Sequence, residues 1–295
     1  MSIFSLSSEI SFFVLALVFA MEALSLGWER CSLRRLARPD PSDRAGIACF
    51  LLFGTGFAKW PIVIGTLSFS YWSAGLSRAL FVGHGINLHL TTGNGTLDFI
   101  LFFLLYTALD YGLHRLMHVN PLWHVHRYHH SATSLNPLVT FLAHPAHFIF
   151  ETILSWPYFL FSVPMPYLVS FWMLRMIYGL VTHVDAEWRW GWFGRYVIHP
   201  PAAHRLHHAA DPDFYNKNLA SLVLWDRLFG TYAETDAPIT KFGVEEAYFE
   251  SNFIVDMLRD YLAFVNALRA YLPQGKPRSL VTRETLPQSS TDSMT

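Results

Sequence analysis

Five long apolar runs alternate with polar stretches along this chain. They cover 10–26, broken only by Glu22; 45–71, with Lys59 inside and a bend expected at Pro61; 97–113; 148–163; and 167–181. Each is close to the roughly 17–25 residues that cross a bilayer as a helix. The last two are joined by Val163-Pro164-Met165-Pro166, which reads as a tight turn between antiparallel helices. The first run has no basic segment before it, since the first lysine or arginine is Arg30, so an uncleaved helix is expected rather than a leader peptide. The predicted fold class is all-α: an integral membrane, multi-pass helical bundle of about four to five spans with a cytoplasmic helical cap. A later segment, 243–272, has the pattern of an amphipathic surface helix lying on the membrane. From Pro273 the chain reads as a disordered tail.

Basic residues orient the spans. Arg30, Arg34, Arg35, Arg38 and Arg44 lie between the first two runs, so that loop is expected in the cytoplasm. Counting onward, 71–96 falls outside, with His84 and His89 in or beside it. The third span returns to the cytoplasmic side, and the fourth and fifth form a hairpin that comes back to it.

Composition agrees with a membrane protein: 52% hydrophobic residues and only 15% charged. Net charge is −1, which gives a nucleic-acid partner no electrostatic support. The two cysteines, Cys31 and Cys49, have no CxxC partner, so thiolate metal sites are not expected. A disulfide between them would need a non-cytosolic location, against the predicted topology.

Histidine changes the picture most. The chain has 15, and all but His84 and His89 fall between His114 and His208. Eight form three clusters: His114 with His118 (HxxxH), His126 with His129 and His130 (HxxHH), and His204 with His207 and His208 (HxxHH). Spacings of three and four residues bring imidazoles onto one side of a helical turn. Eight nitrogen ligands suit two metal ions better than one, and the arginine-based topology brings all three clusters to one membrane face. Imidazole-rich sites suit iron, copper and zinc alike. A bound imidazole needs an acceptor on its other nitrogen. Asp110, one turn before His114, Asp226, and Asp185 near His183 are candidates. Asn216 and Asn218 are candidates for shaping the loop after the third cluster.

Three stretches carry a family likeness: HRLMH at 114–118, WHVHRYHHS at 123–131, and HRLHHAADPDFYNKNLASLVLWDRLFGTY at 204–232. With these the chain resembles the fatty acid hydroxylase/sterol desaturase superfamily of integral-membrane, histidine-box di-iron enzymes, and looks closest to its bacterial sterol-desaturase-like and alkylglycerol-monooxygenase-like branches. The resemblance implies iron and metal ligation by His114, His118, His126, His129, His130, His204, His207 and His208, with His183 as an additional ligand. His144 lies in a segment similar to a family segment with histidine before proline. Where that segment has an acidic residue two positions after the proline, this chain has His147. His124 and His199 fit no cluster. The implied activity is O2-dependent hydroxylation, or alternatively desaturation, of a lipid such as a sterol, fatty acyl or ether lipid. Zinc is expected to replace iron on overexpression.

Phe141, Phe148, Phe150, Trp156, Phe171, Trp172 and Tyr178 are candidates for lining an apolar channel, although packing is the commoner role of such residues. No GxGxxG follows a strand pattern, so reducing equivalents are expected from outside the chain. A ferredoxin or b-type cytochrome system, or tetrahydrobiopterin, would supply them. Two other classes share these features: a metal transporter and a non-catalytic, zinc-stabilised membrane protein. A transporter needs polar groups along a mid-bilayer pathway. Glu22, Lys59 and Asp110 are the main polar residues in the runs, and their spacing makes no pair. The expected organisation is 1–44, a membrane helix and basic loop; 45–235, the catalytic membrane domain; 236–272, the amphipathic helix; and 273–295, the tail.

Overall fold

A computed structural model describes residues 3–55, 90–245, 248, 249 and 252–271, with a few isolated positions between 65 and 79. The second apolar run beyond Thr55, including Lys59 and Pro61, lies almost wholly outside the described residues, as do His84, His89 and the tail. Among the described residues the structure is helical, with three isolated bridges and no extended strand.

The long apolar runs become helices where nothing interrupts the backbone ladder. α1 spans Ile3–Leu26. A short α2, Ser32–Leu36, follows. α3, Pro41–Cys49, is started by an Asp40 capping box and continues into one π turn, Phe50–Gly54. α4, Gly95–Met117, is capped by the Asn94 side chain, which accepts from the Thr96 and Leu97 amides. The fourth run departs from the single helix expected. It breaks into α6, Pro145–Phe150, a 3-10 turn, Glu151–Ser155, and α7, Trp156–Leu160. Pro157 has no N–H to continue the ladder, which explains the break. α8, Met165–Thr182, starts just after Pro164. Of these helices, α1 from Glu9 and α4 are long and apolar enough to cross a membrane.

Contacts fix how the central helices run. At one end, Leu90 N–H donates to the Leu160 carbonyl and Thr96 and Tyr167 hydroxyls meet at 3.3 Å. At the other end lie His114, His147 and His183. The 145–160 segment therefore descends from the histidine end, turns at Val163–Pro164 and returns as α8, the hairpin that the sequence predicts. α8 packs on α1 through Leu180, Val184, Val14 and Val18. α4 packs on the hairpin through Phe102, Tyr106, Leu154 and Phe171. Outward-facing residues remain apolar, among them Phe13, Leu17, Leu97, Ile100, Val169 and Leu174.

Glu22, the one charge in the first run, is fully buried. Its carboxylate accepts from the Ser32 amide (3.1 Å) and hydroxyl (2.6 Å), tying α2 to the end of α1. Cys31 and Cys49 are both free and buried.

Four short helices sit at the histidine end: α5, Trp123–His130, and α10, Pro201–His207, which carry histidines, and α9, Gly191–Tyr196, and α11, Val223–Leu228, which do not. α12, Phe253–Tyr271, packs on α5. Its polarity is inverted relative to a helix on a soluble protein. Asp256 and Asp260 point inward, while Ile254, Leu258, Leu262 and Leu268 are exposed. The inward charge is matched: Arg127 of α5 donates to Asp260 Oδ1 through Nη2 (2.7 Å) and Nε (3.1 Å), and Tyr248 donates to Oδ2 (2.6 Å).

Candidate metal centre

The sequence clusters are redistributed in space. His114, His118, His126, His130 and His207 form one group, and His129, His183, His204 and His208 form a second. Within each, the candidate ligand atoms all lie within 4.8 Å of one another. The regrouping follows from helix geometry. On α5, His126 and His130 are one turn apart and share a face, so they go to the first group, while His129 turns toward the second. α10 does the converse: His204 and His208 go to the second group and His207 to the first. The pair at the end of α4 completes the first group, and His183, just past α8, completes the second. The groups share a wall, with the His130 and His208 rings stacked at 4.4 Å between centroids.

The ring orientations are set from outside. Nδ1–H of His114 donates to the Leu219 carbonyl (2.6 Å), His207 to Lys217 (2.9 Å), His129 to Leu142 (3.2 Å) and His183 to Gly179 (2.7 Å). A carbonyl only accepts, so each Nδ1 carries the proton and each Nε2 presents a lone pair. Yet Nε2 of His129 and Nε2 of His183 lie 3.3 Å apart. Nε2 of His183 is also 2.9 Å from that of His204, which is 3.2 Å from that of His208. In the first group, Nε2 of His126 is 3.1 Å from that of His114 and 3.2 Å from that of His130. His129 and His183 thus meet lone pair to lone pair, which repels unless a cation lies between them. Nitrogens about 2.1 Å from a common ion at right angles are about 3.0 Å apart. Nε2 of His118 and of His207 are buried without a protein partner, which suits nitrogens that ligate a metal ion. The donor set thus fits two metal ions.

Charge state agrees. Burial pushes the His126, His129, His130 and His204 imidazoles well below their ordinary range, with neighbouring histidines adding to the effect. Burial also takes His183 down to about 4 and His207 to about 3. Neutral rings are the form that ligates metal.

The acceptors differ from those expected at two positions. Asp110 does not orient His114, whose Nδ1 is held by the Leu219 carbonyl. Asp110 instead faces Arg175 at 3.6 Å. Asp185 pairs with Arg205 rather than His183. Asp226 acts at one remove. Fully buried, it accepts from the amides of Leu219 and Ala220 (both 2.8 Å), the Thr231 hydroxyl (2.6 Å) and His199 Nε2 (2.9 Å). It thereby fixes the peptide whose carbonyl orients His114. Asn216 and Asn218 have positive φ, 59° and 52°. Asn218 also donates to the Ala203 and Ala233 carbonyls, which locks the loop carrying the Lys217 and Leu219 acceptors. These backbone acceptors were missed by sequence reasoning because a carbonyl leaves no residue-type signal.

His199 and His124 belong to neither group, and His144 caps α6, accepting from Ala146 N and donating to the Met257 carbonyl. Beside the centre opens a cavity of about 1260 Å³, lined by His114, His126, His129, His183 and His204 at one end and by Phe99 and Tyr167 at the other. Of the aromatic candidates, Phe141, Phe148, Phe171, Trp172 and Tyr178 line it rather than only packing, whereas Phe150 and Trp156 do not line it. Glu151 and Arg175, also in its wall, were overlooked, although charges inside apolar runs are a recognisable signal.

Residues 99–231 match the family described as fatty acid hydroxylase. By this match the segment is similar to the fatty acid hydroxylase family. It holds every histidine of both groups. Relatives include an alkylglycerol monooxygenase of Xenopus tropicalis (28% identical over 134 residues; 44% of this chain, 30% of the relative). An ornithine lipid hydroxylase of Rhizobium tropici is 31% identical over 131 residues, covering 43% and 39%. A Delta(7)-sterol 5(6)-desaturase of Eremothecium gossypii is 34% identical over 144 residues, covering 46% and 38%. The chain spans about a third of the length of these relatives. No solved structure matches it significantly.

Proposed function

We propose that this chain is a membrane-bound oxygenase in which two iron ions and O2 hydroxylate a C–H bond of a lipid drawn from the bilayer. The observation that carries this reading is the opening of an apolar cavity, long enough for a lipid chain, directly onto two imidazole groups. From Asp110 to Thr96 alone the cavity follows α4 for about 21 Å at 1.5 Å per residue. The five-histidine and four-histidine groups would each hold one ion. Bound iron would supply the redox chemistry that couples O2 reduction to C–H oxidation. The protein's part is to hold neutral imidazoles in fixed orientation, to exclude water with aromatic walls and to direct the lipid chain past the centre. Hydroxylation inserts one oxygen atom and reduces the other to water with two electrons and two protons. Those electrons come from an external donor: a ferredoxin or b-type cytochrome system, or reduced tetrahydrobiopterin. Desaturation, as named for one relative, would remove two hydrogens from neighbouring carbons in the same site.

Lipid profiling of cells with and without the protein, under 18O2, tests the reaction. A product heavier by one labelled oxygen is the expected result. Loss of two hydrogens without label would establish desaturation, and no oxygen-dependent lipid change would sink the oxygenase reading. Metal analysis of anaerobically purified, iron-reconstituted protein should give close to two equivalents. Zinc is expected in part after overexpression, because it outcompetes ferrous iron at nitrogen sites. One equivalent with all nine histidines intact would exclude a dinuclear centre.

The membrane placement rests on the arginine-rich loop after α1, the apolar outer faces and the inverted α12, whose exposed leucines suit the lipid boundary. The metal centre would then face the cytoplasm. Reporter fusions after Arg44, Gly93 and Tyr232 should read inside, outside and inside. An outside signal at Tyr232 would separate the third cluster from the site.

A further inference from the structure

One polar cluster lines the cavity wall beside the imidazoles, reaching them where the His147 ring stacks on His126 at 5.5 Å. Arg175 of α8 lies 3.6 Å from Asp110 of α4 and 3.6 Å from Glu151, which follows α6. Glu151 is also 3.5 Å from His147 Nε2. The Arg175 guanidinium sits 5.6 Å from the Tyr106 ring centroid. All five residues line the cavity, and the Arg175 side chain is 43% exposed. The two ion-pair contacts are longer than the roughly 2.7–3.2 Å of a direct N–H···O bond. Donors and acceptors in this cluster therefore remain open to a third group.

Position and charge define what that group is. Asp110 is one turn, about 6 Å along α4, from His114, and the apolar cavity continues about 21 Å beyond it toward Thr96. Arg175 and His147 are already matched by two carboxylates, so the cluster has no surplus positive charge with which to hold a carboxylate or phosphate. A hydroxyl is uncharged, accepts from Arg175 and donates to Asp110 or Glu151.

We propose that Arg175, Asp110 and Glu151 anchor an uncharged hydroxyl of the lipid substrate, so that the oxidised carbon lies a few bonds from that hydroxyl and the apolar body extends away from the metals. This rests on the oxygenase reading for the word substrate, but the anchor itself is a binding claim and can be read without turnover. The metal-loaded protein in lipid nanodiscs is labelled with a diazirine-bearing hexadecanol, and displacement is measured with hexadecan-1-ol, 1-methoxyhexadecane and hexadecanoate. Hexadecan-1-ol should displace at least about tenfold better than either, the scale of a hydrogen bond to a charged group. Arg175→Met should erase that preference by weakening the alcohol alone, with metal content unchanged, and Glu151→Gln should reduce it. Equal displacement by the alcohol and its methyl ether, or preference for hexadecanoate, overturns the anchor. So does an Arg175→Met protein that loses all three probes alike with its metals retained. Should Arg175→Met fail to accumulate, the wild-type ranking and Asp110→Asn decide the matter. An alcohol preference in a protein with metals but no oxygen-dependent product would leave the anchor standing and remove the oxygenase reading.

Discussion

His207→Ala is expected to abolish turnover, while His84→Ala leaves it intact. In the first imidazole group His207 is the only member contributed by α10, so its loss removes the link between that helix and the pairs from α4 and α5. Four imidazoles remain there, and the second group keeps all four of its own. Bound iron should accordingly fall from about two equivalents toward one. The substitution also strands the Lys217 carbonyl that accepts from His207 Nδ1, a loss of about 1–3 kcal/mol for a buried group. Membrane levels of the variant must therefore be matched to wild type before activity is compared. His84 lies outside the described residues, and the arginine-based topology puts it across the roughly 30 Å hydrocarbon core from the centre. Full oxygen-dependent activity in His207→Ala would mean that the third cluster is no part of the catalytic centre.

The contrast between cluster and group shows where sequence stops being legible. Which histidines come together was readable because side-chain type and a period of three to four residues survive folding unchanged. Which ion each would bind was not, because HxxHH spreads its rings over two directions and only the packing of α5 against α10 assigns them. Asp110 was misread for a related reason. Spacing places it on the His114 face, but the partner it meets, Arg175, lies 65 positions later on another helix. The fourth run was apolar enough to suggest a continuous helix, and one proline outweighed that pattern. The helix α12 starts at Phe253 rather than at Gly243, and periodicity cannot say which of its faces turns inward. Here Arg127 draws the acidic face into the protein and leaves the apolar face outside.

Asp226→Asn is expected to cost about 10–100-fold in activity or in metal affinity, the usual scale for groups that orient metal ligands. Both carboxylate oxygens are committed to donors: Oδ1 to the Leu219 amide and Thr231, Oδ2 to the Ala220 amide and His199. Burial works against the charge, but the His199 and Thr231 bonds and the backbone donors outweigh it and hold the carboxyl below the ordinary carboxylate range. Asparagine has the same shape and one acceptor fewer. Its NH2 would be set against an N–H donor, and relief requires the 219–220 peptides to move. The Leu219 carbonyl moves with them, and His114 loses the 2.6 Å contact that aims its Nε2. The damage should thus fall on the first imidazole group and spare the second, which takes its acceptors from Leu142 and Gly179. Iron titration combined with turnover separates the cases: Asp226→Asn should weaken one of two equivalents, and His199→Ala, which removes one donor and leaves the backbone bonds, should do less. Equal weakening of both equivalents would show that Asp226 supports the fold at large rather than the orientation of His114.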